Sequence, residues 1–209
     1  MKQLFLTWVL LAAVAGCRTA SEGVAPGQNG AIANIMNRKS VRSFTGARLT
    51  AEQQETLLRA AMAAPTAMNV QPWQFIVLDD ADVIADVFSE DRQADMFAAA
   101  GAVFIICGET TFPGRPPGMD VEPVARPNEF WFEDCAAATE NLLLAAEALG
   151  LGAVWTACYP IAGRIEMLRE KLAIPAGVVP FSVVPVGVPA GDNRPKDKWK
   201  PEKIHRNRW

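Results

Sequence analysis

A chain of 209 residues has room for one substantial domain with a real core and too little for two of ordinary size. Half of its residues are hydrophobic, which excludes a disordered chain, and a net charge of −3 gives no overall pull toward nucleic acid or acidic lipid. His205 is the single histidine, so a multi-histidine metal site is excluded and a Ser-His-Asp triad is disfavoured.

The first seventeen residues stand apart. Lys2 gives a short positive start, Leu4 to Ala15 form an apolar run too short to span a bilayer comfortably, and Val14-Ala15-Gly16-Cys17 reads as a lipobox. A cytoplasmic protein with a greasy N-terminal helix is the alternative, but charge, apolar run and small-residue site come in the order of a signal peptide. Residues 1–17 are therefore expected to be a lipoprotein signal peptide, with Cys17 as the lipidated mature N-terminus. Each buried CH₂ of an acyl chain contributes roughly 0.8 kcal/mol, so several chains anchor firmly. Residues 18–30 contain Ser, Glu, Gly, Pro, Gln and Asn without apolar periodicity and read as a flexible tether. Arg18, where inner-membrane retention would ask for Asp, resembles an outer-membrane sorting signal. The expected location is outside the cytoplasm, facing the periplasm and held by the N-terminal lipid only. No later segment is long and apolar enough to cross a bilayer.

Residues 31–209 are expected to form the domain. Ala31 to Asn37 predicts a short helix. Thr50-Ala51-Glu52-Gln53 is a capping box that starts a helix carrying Leu57, Leu58, Ala61 and Met62 inward and ending near Pro65. Trp73 to Leu78 predicts a strand, Asp80 to Phe88 a helix, and Ala102 to Cys107 a buried strand. Residues 109–129 carry five prolines and read as a long functional loop. Trp131, Cys135, Ala138, Leu142, Ala145 and Leu149 recur at spacings of four and three, a helix with one buried stripe closed by Gly150. Ala153 to Ala157 predicts a strand, Ile161 to Leu172 a helix, and Val178 to Val188 a strand broken by Pro185. A basic, proline-punctuated tail follows from Pro189. Strands and helices mix without a regular βαβ repeat, which favours α+β. Beyond Cys17 an odd number of cysteines remains, Cys107, Cys135 and Cys158. The first two sit on apolar faces and read as buried small hydrophobes.

Four segments carry the chemistry. Arg38-Lys39-Ser40-Val41-Arg42 clusters cations around a serine, and arginine offers a planar fork suited to phosphate oxygens. Alone it would be a solvated charged loop. Pro65-Thr66-Ala67-Met68-Asn69-Val70-Gln71-Pro72-Trp73 supplies neutral donors and acceptors at a strand entrance. Gly150-Leu151-Gly152 leads into Trp155-Thr156-Ala157-Cys158, and the tail holds Lys196 and Lys198.

Taken together these segments resemble the nitroreductase-like flavoprotein family, over residues 31–209. Thr66 stands where the family usually has serine, and Ala157-Cys158 where many relatives have Glu-Gly. The resemblance implies a nitroreductase-like α+β fold: a central, mainly antiparallel sheet flanked by helices, in an intertwined homodimer. It implies FMN, with Arg38, Lys39, Ser40, Arg42, Lys196 and Lys198 around the phosphate and ribityl end, and Arg42 reaching the pyrimidine edge. Pro65, Thr66 and Asn69 would come from the other subunit. Trp155, Ala157 and Cys158 would lie along the reactive edge, the last two through backbone N–H groups, and Gln93 would turn its amide to the pyrimidine. Gln71, Pro72 and Trp73 are read as braces of the strand.

The same resemblance implies an FMN-dependent oxidoreductase with no acid, base or nucleophile among its side chains, since the flavin carries the chemistry. A reduced donor, NAD(P)H, and a small aromatic or quinone-like acceptor would use one site in turn, by a ping-pong mechanism. Export complicates that donor, because nicotinamide dinucleotides are cytoplasmic. Three alternatives remain open: a dehalogenase-type specialised reductase, a membrane-tethered flavin electron carrier or scaffold without small-molecule turnover, and a binding protein that has lost FMN. Trp199 and Trp209, on a tail without internal pattern, are expected to be buried by a partner subunit.

Overall fold

A computed structural model describes residues 30–114 and 124–209. The signal peptide, Cys17 and residues 18–29 of the tether lie outside the described residues, as do residues 115–123 of the proline-rich segment. Helix α1 (Gly30–Asn37) starts at the last tether residue. Helix α2 (Ala51–Met62) is opened by the predicted capping box: Thr50 Oγ1 accepts from the Gln53 N–H while the Gln53 side chain accepts from the Thr50 N–H. Leu57 and Ala61 are buried and Leu58 packs beside them, but Met62 is exposed, because α2 presents a narrower apolar face than its sequence suggests.

Strand β1 (Trp73–Leu78), helices α3 (Ala81–Val87) and α4 (Ala94–Ala98), and strand β2 (Ala102–Glu109) follow. Residues 109–129 are more ordered at both ends than a loop: β3 (Thr111–Gly114) pairs antiparallel with β4 (Val124–Pro127). Helix α5 (Trp131–Ala148), the short strands β5 (Gly152–Ala153) and β6 (Thr156–Ala157), α6 (Ala162–Leu172) and β7 (Val178–Gly187) complete the domain.

The main sheet runs β1-β2-β7-β5, with β6 also on β7, and every ladder in it is antiparallel. Pro185 does not break β7. It lies opposite the gap between β5 and β6, so the interruption falls on the edge strand, and its carbonyl still accepts from the Val154 N–H at 3.4 Å. A proline without an N–H is tolerated where no neighbour asks for one.

The sheet is buried on both faces, and β2 shows why its sequence is continuously apolar. Ala102, Phe104 and Ile106 join one core with α2 and α5, while Val103, Ile105 and Cys107 join the other with α3, α4 and α6. Alternate residues of a strand point to opposite faces, and each fully buried large side chain contributes about 1.5–3 kcal/mol. Helix α5 lies close against the sheet because position 108 is glycine: a Cβ there would meet the Trp131 ring at 2.5 Å and Cys135 Sγ at 2.9 Å. No helix among the described residues is long and apolar enough to cross a membrane.

Candidate flavin site

Residues 38–44 run extended along the sheet edge. Ser40 bridges Ala153 in parallel, the Val41 N–H donates to the Ala153 carbonyl at 2.9 Å, and Phe44 bridges Pro189. Val41 and Phe44 are buried, whereas Ser40 and Arg42 are exposed. The tail returns alongside, and Arg38, Lys39, Ser40, Arg42, Arg194, Lys196 and Lys198 line a single cleft of about 220 Å³. Two predicted groups some 150 residues apart in sequence thus converge, as one phosphate site requires.

Three of those cations are already committed. Arg38 Nε meets Glu140 at 3.1 Å, Lys39 Nζ is clasped by both Glu147 oxygens at 2.9 and 3.0 Å, and Arg194 holds Asp192 at 2.8 Å. Lys39 therefore departs from the expected role: its ammonium is spent tying the strip to α5. Arg42, Lys196 and Lys198 make no ion pair with a carboxylate among the described residues. Arg194 is an addition to the predicted set, and its even-numbered spacing from Lys196 and Lys198 was the signal for it.

The Pro65–Trp73 segment folds as predicted, into a turn built around a 3₁₀ helix (Ala67–Asn69). Met68, Asn69 and Gln71 all have left-handed φ, at 52°, 56° and 55°. Such conformations cost of order 1–3 kcal/mol each outside glycine and persist only where surroundings impose them. Here Thr66 Oγ1 accepts from the Gln71 N–H at 3.1 Å, Gln71 Nε2 donates to Asn69 Oδ1 at 3.2 Å, and the Ala67 N–H donates to Asp134 Oδ1 at 2.9 Å. Asp134, 5 % exposed in the first turn of α5, is thus the anchor of the turn. Its Oδ2 is buried without a hydrogen-bond partner. Only the three-dimensional fold brings it there, 67 residues from Ala67.

The turn and the cation strip share α5 but at different heights. At 1.5 Å per residue, Asp134 stands about 9 Å along the axis from Glu140 and about 20 Å from Glu147, the carboxylates that hold Arg38 and Lys39. Among the described residues, neither of the two clefts lined by Arg38, Lys196 and Lys198 includes Pro65, Thr66 or Asn69.

The third segment also follows β7. Trp155 is half-buried, its ring edge-on to Phe181 at 5.5 Å. Ala157 is exposed. Cys158 corrects the expectation of two backbone donors: its N–H donates to the Phe181 carbonyl at 3.1 Å, and its side chain is fully buried. Burial pushes the thiol up to about 11, with the nearby Arg164 guanidinium pulling the other way. Burial likewise takes Cys107 up to about 12 and drives Cys135 upward. None of the three is a thiolate at neutral pH, so a redox role for Cys158 gains no support. Sequence reasoning also missed an aromatic group: Tyr159 sits edge-on to Trp131 at 4.9 Å and stacks over Phe132 and Phe181. Gln93 is exposed at the start of α4; its N–H donates to Asp91, and its amide makes no hydrogen bond among the described residues.

A roomier cavity, of about 610 Å³, lies between α3 and α6. Glu90, Asp91, Glu166 and Glu170 outnumber Arg164 and Lys171 in its lining, and both cations are paired to carboxylates, a balance that does not favour phosphate.

Residues 35–188 match the Nitroreductase family. The chain is 37% identical over 178 residues to "Putative NADH dehydrogenase/NAD(P)H nitroreductase" of Archaeoglobus fulgidus, covering 84% of this chain and 96% of that one. It is 29% identical to FMN reductase (NADPH) of Bacillus subtilis, covering 78% and 67%. A crystal structure from Bacteroides thetaiotaomicron, under the same name as the archaeal protein, superposes with a TM-score of 0.77 at 36% identity, covering 87% of this chain and 99% of that one. The chain belongs to the nitroreductase family.

Proposed function

We propose that the protein is an FMN-dependent oxidoreductase that takes reducing equivalents from NAD(P)H and passes them to a small aromatic or quinone-like acceptor, the two visiting one site in turn. The observation that carries the reading is the cleft where Arg42, Lys196 and Lys198 gather beside Ser40 without carboxylate partners among the described residues. A phosphate monoester brings nearly two negative charges and three acceptor oxygens, and suits that donor set. The kinship with an FMN reductase supports the same cofactor. FMN, when bound, supplies the electron and hydride chemistry. The chain's own residues hold and orient it: Arg42, Lys196, Lys198 and Ser40 take the phosphate, Arg38, braced by Glu140, lines the same cleft, and Ala157 offers a backbone edge.

The complete site is a composite of two subunits. The separation of the Pro65–Asn69 turn from its own cations along α5 supports this, as do the exposed tail residues Trp199, at 72 %, and Trp209, fully exposed. A partner that covers those rings removes apolar surface from water and brings its turn to the cation strip. The signal-like N-terminus supports tethering through Cys17, outside the cytoplasm, which makes a quinol-type donor worth comparing with NAD(P)H.

The test is anaerobic reduction of the FMN-loaded chain by NADH, NADPH and a water-soluble quinol, compared by rate. Rapid bleaching by a nicotinamide, followed by reoxidation with a nitroaromatic or quinone, is the expected result. A chain that binds FMN yet is reduced by no nicotinamide would overturn the donor assignment.

A further inference from the structure

Arg164, in the first turn of α6, reaches back to β6 with its two terminal nitrogens. Nη1 donates to the Ala157 carbonyl at 2.8 Å, and Nη2 to Thr156 Oγ1 at 3.3 Å and Asp91 Oδ2 at 3.1 Å. Thr156 Oγ1 donates in turn to the Val183 carbonyl at 2.8 Å. The ion pair is well inside the protein, its side chains 18 % and 16 % exposed, with the Phe97 ring 6.0 Å from the guanidinium. A buried pair is weak evidence for stability, since desolvation offsets much of the attraction. Its worth lies in what it holds in place.

What it holds is one residue of β6. The Cys158 N–H donates toward β7, to Phe181. In an antiparallel ladder alternate residues turn their backbone groups to opposite sides, so Ala157, opposite Ser182, turns its N–H and C=O away from β7. Among the described residues no further strand pairs β6 on that side. Arg164 takes the carbonyl, and the N–H remains as the donor this edge presents, beside an exposed methyl that leaves room for close approach.

We propose that Arg164, oriented by Asp91, is a positioning residue for the oxidoreductase reaction. It locks the backbone from Thr156 to Cys158 so that the Ala157 N–H is aimed at the reactive edge of FMN, and its charge favours the electron-rich reduced cofactor. The inference rests on the FMN reading above. A donor fixed before the cofactor gains electrons costs no reorganisation when charge develops, and a site is as good as the shell that supports it.

The test uses the full chain with Arg164→Gln, Arg164→Lys and Asp91→Asn. Without flavin, amide hydrogen exchange over residues 154–160 should quicken at least about tenfold in Arg164→Gln and Arg164→Lys, and less in Asp91→Asn. With FMN, oxidised-cofactor affinity should stay within about threefold, because the phosphate cations are untouched. Affinity for reduced FMN should fall about tenfold relative to oxidised FMN in Arg164→Gln, a midpoint about 30 mV lower. Arg164→Lys, which keeps the charge but not the fork, should restore only part of the potential and none of the exchange protection. Unchanged exchange in all three variants, or an unchanged potential in Arg164→Gln, overturns the proposal. If Arg164→Gln fails to fold, Arg164→Lys decides: exchange and potential both unchanged from the wild type overturn the proposal. A wild type that binds no FMN would sink the cofactor reading, while the exchange data would still judge the grip on β6.

Discussion

Substituting Gly152 by alanine tests how the phosphate strip is held. An added Cβ would lie 2.6 Å from Val41 Cγ1, 2.7 Å from Val41 Cβ and 3.0 Å from Val41 Cγ2. Val41 cannot swing clear: it is β-branched, 1 % exposed, and its Cβ is fixed to a backbone bonded to Ala153. The strip itself must move, which for overpacking costs about 1–3 kcal/mol. For a domain of this size that is a melting temperature lower by about 2–12 °C, at 2–4 °C per kcal/mol. The same displacement lifts Arg38, Ser40 and Arg42 from the cleft. Losing one charge-assisted contact of about 1.5–3 kcal/mol weakens FMN binding roughly tenfold or more. Scanning calorimetry without FMN and flavin-fluorescence titration measure the two effects. Gly163→Ala is the control: its Cβ would meet nothing within 4 Å, and in a helix it should stabilise by up to about 1 kcal/mol. If Gly152→Ala melts and binds FMN like the wild type, the packing account of the strip is wrong.

The roles of the cations should separate: Arg42→Ala should weaken FMN binding roughly tenfold or more, whereas Lys39→Ala should lower the melting temperature with the smaller loss of affinity, and equal affinity losses in the two would contradict the assignment of Lys39 to Glu147. Thr50→Ala should cost about 0.5–2 kcal/mol of stability through the lost helix cap and leave FMN affinity unchanged, which denaturant titration with and without FMN checks. The thiols set an alkaline limit. Their folded values lie above the ordinary 9.0, at about 11 for Cys158 and about 12 for Cys107. The unfolded chain therefore releases protons first, and the thiol contribution is intact below pH 9.0 and lost as pH rises toward 11–12. Urea midpoints from pH 8 to 11 should fall, and less steeply in Cys107→Ala than in the wild type; a flat profile would show the thiols to be accessible. Ending the chain after Gly191 should lower dimer mass and FMN content together, as sedimentation and absorbance would report; a truncated chain that stays dimeric and yellow would refute the composite site.

Local chemistry made much of this legible in the sequence. The α5 stripe from Trp131 to Leu142, the Thr50 capping box and the Ala102–Cys107 strand are set by patterns within one element and formed where those patterns indicated, whereas beyond Leu142 the buried face passes to Leu143 and Ala146 and the expected Leu149 is exposed. Pro185 misled because a proline's cost depends on whether a neighbouring strand needs its N–H, which is a property of the pairing. The cations were visible as residue types, but Lys39 was not separable from Arg42 until Glu147, 108 residues away, appeared behind it. Asp134 and Arg164 act on Ala67 and Ala157 through contacts that only the folded chain creates. Arg164 looks in sequence like any exposed helix cation, although its spacing of seven from Ala157 already placed it one short turn beyond β6.

Titration of the flavin-free chain with FMN, followed by absorbance near ~450 nm and by fluorescence quenching, in the wild type and in an Arg42→Ala, Lys196→Ala, Lys198→Ala triple variant, tests the central claim most directly. At about 1.5–3 kcal/mol per charge-assisted contact, the wild type should bind one FMN per chain and the triple variant at least about a hundredfold more weakly, with the difference shrinking as salt is raised. A triple variant that binds FMN as tightly as the wild type would show that the cleft is a solvated surface and not the phosphate site.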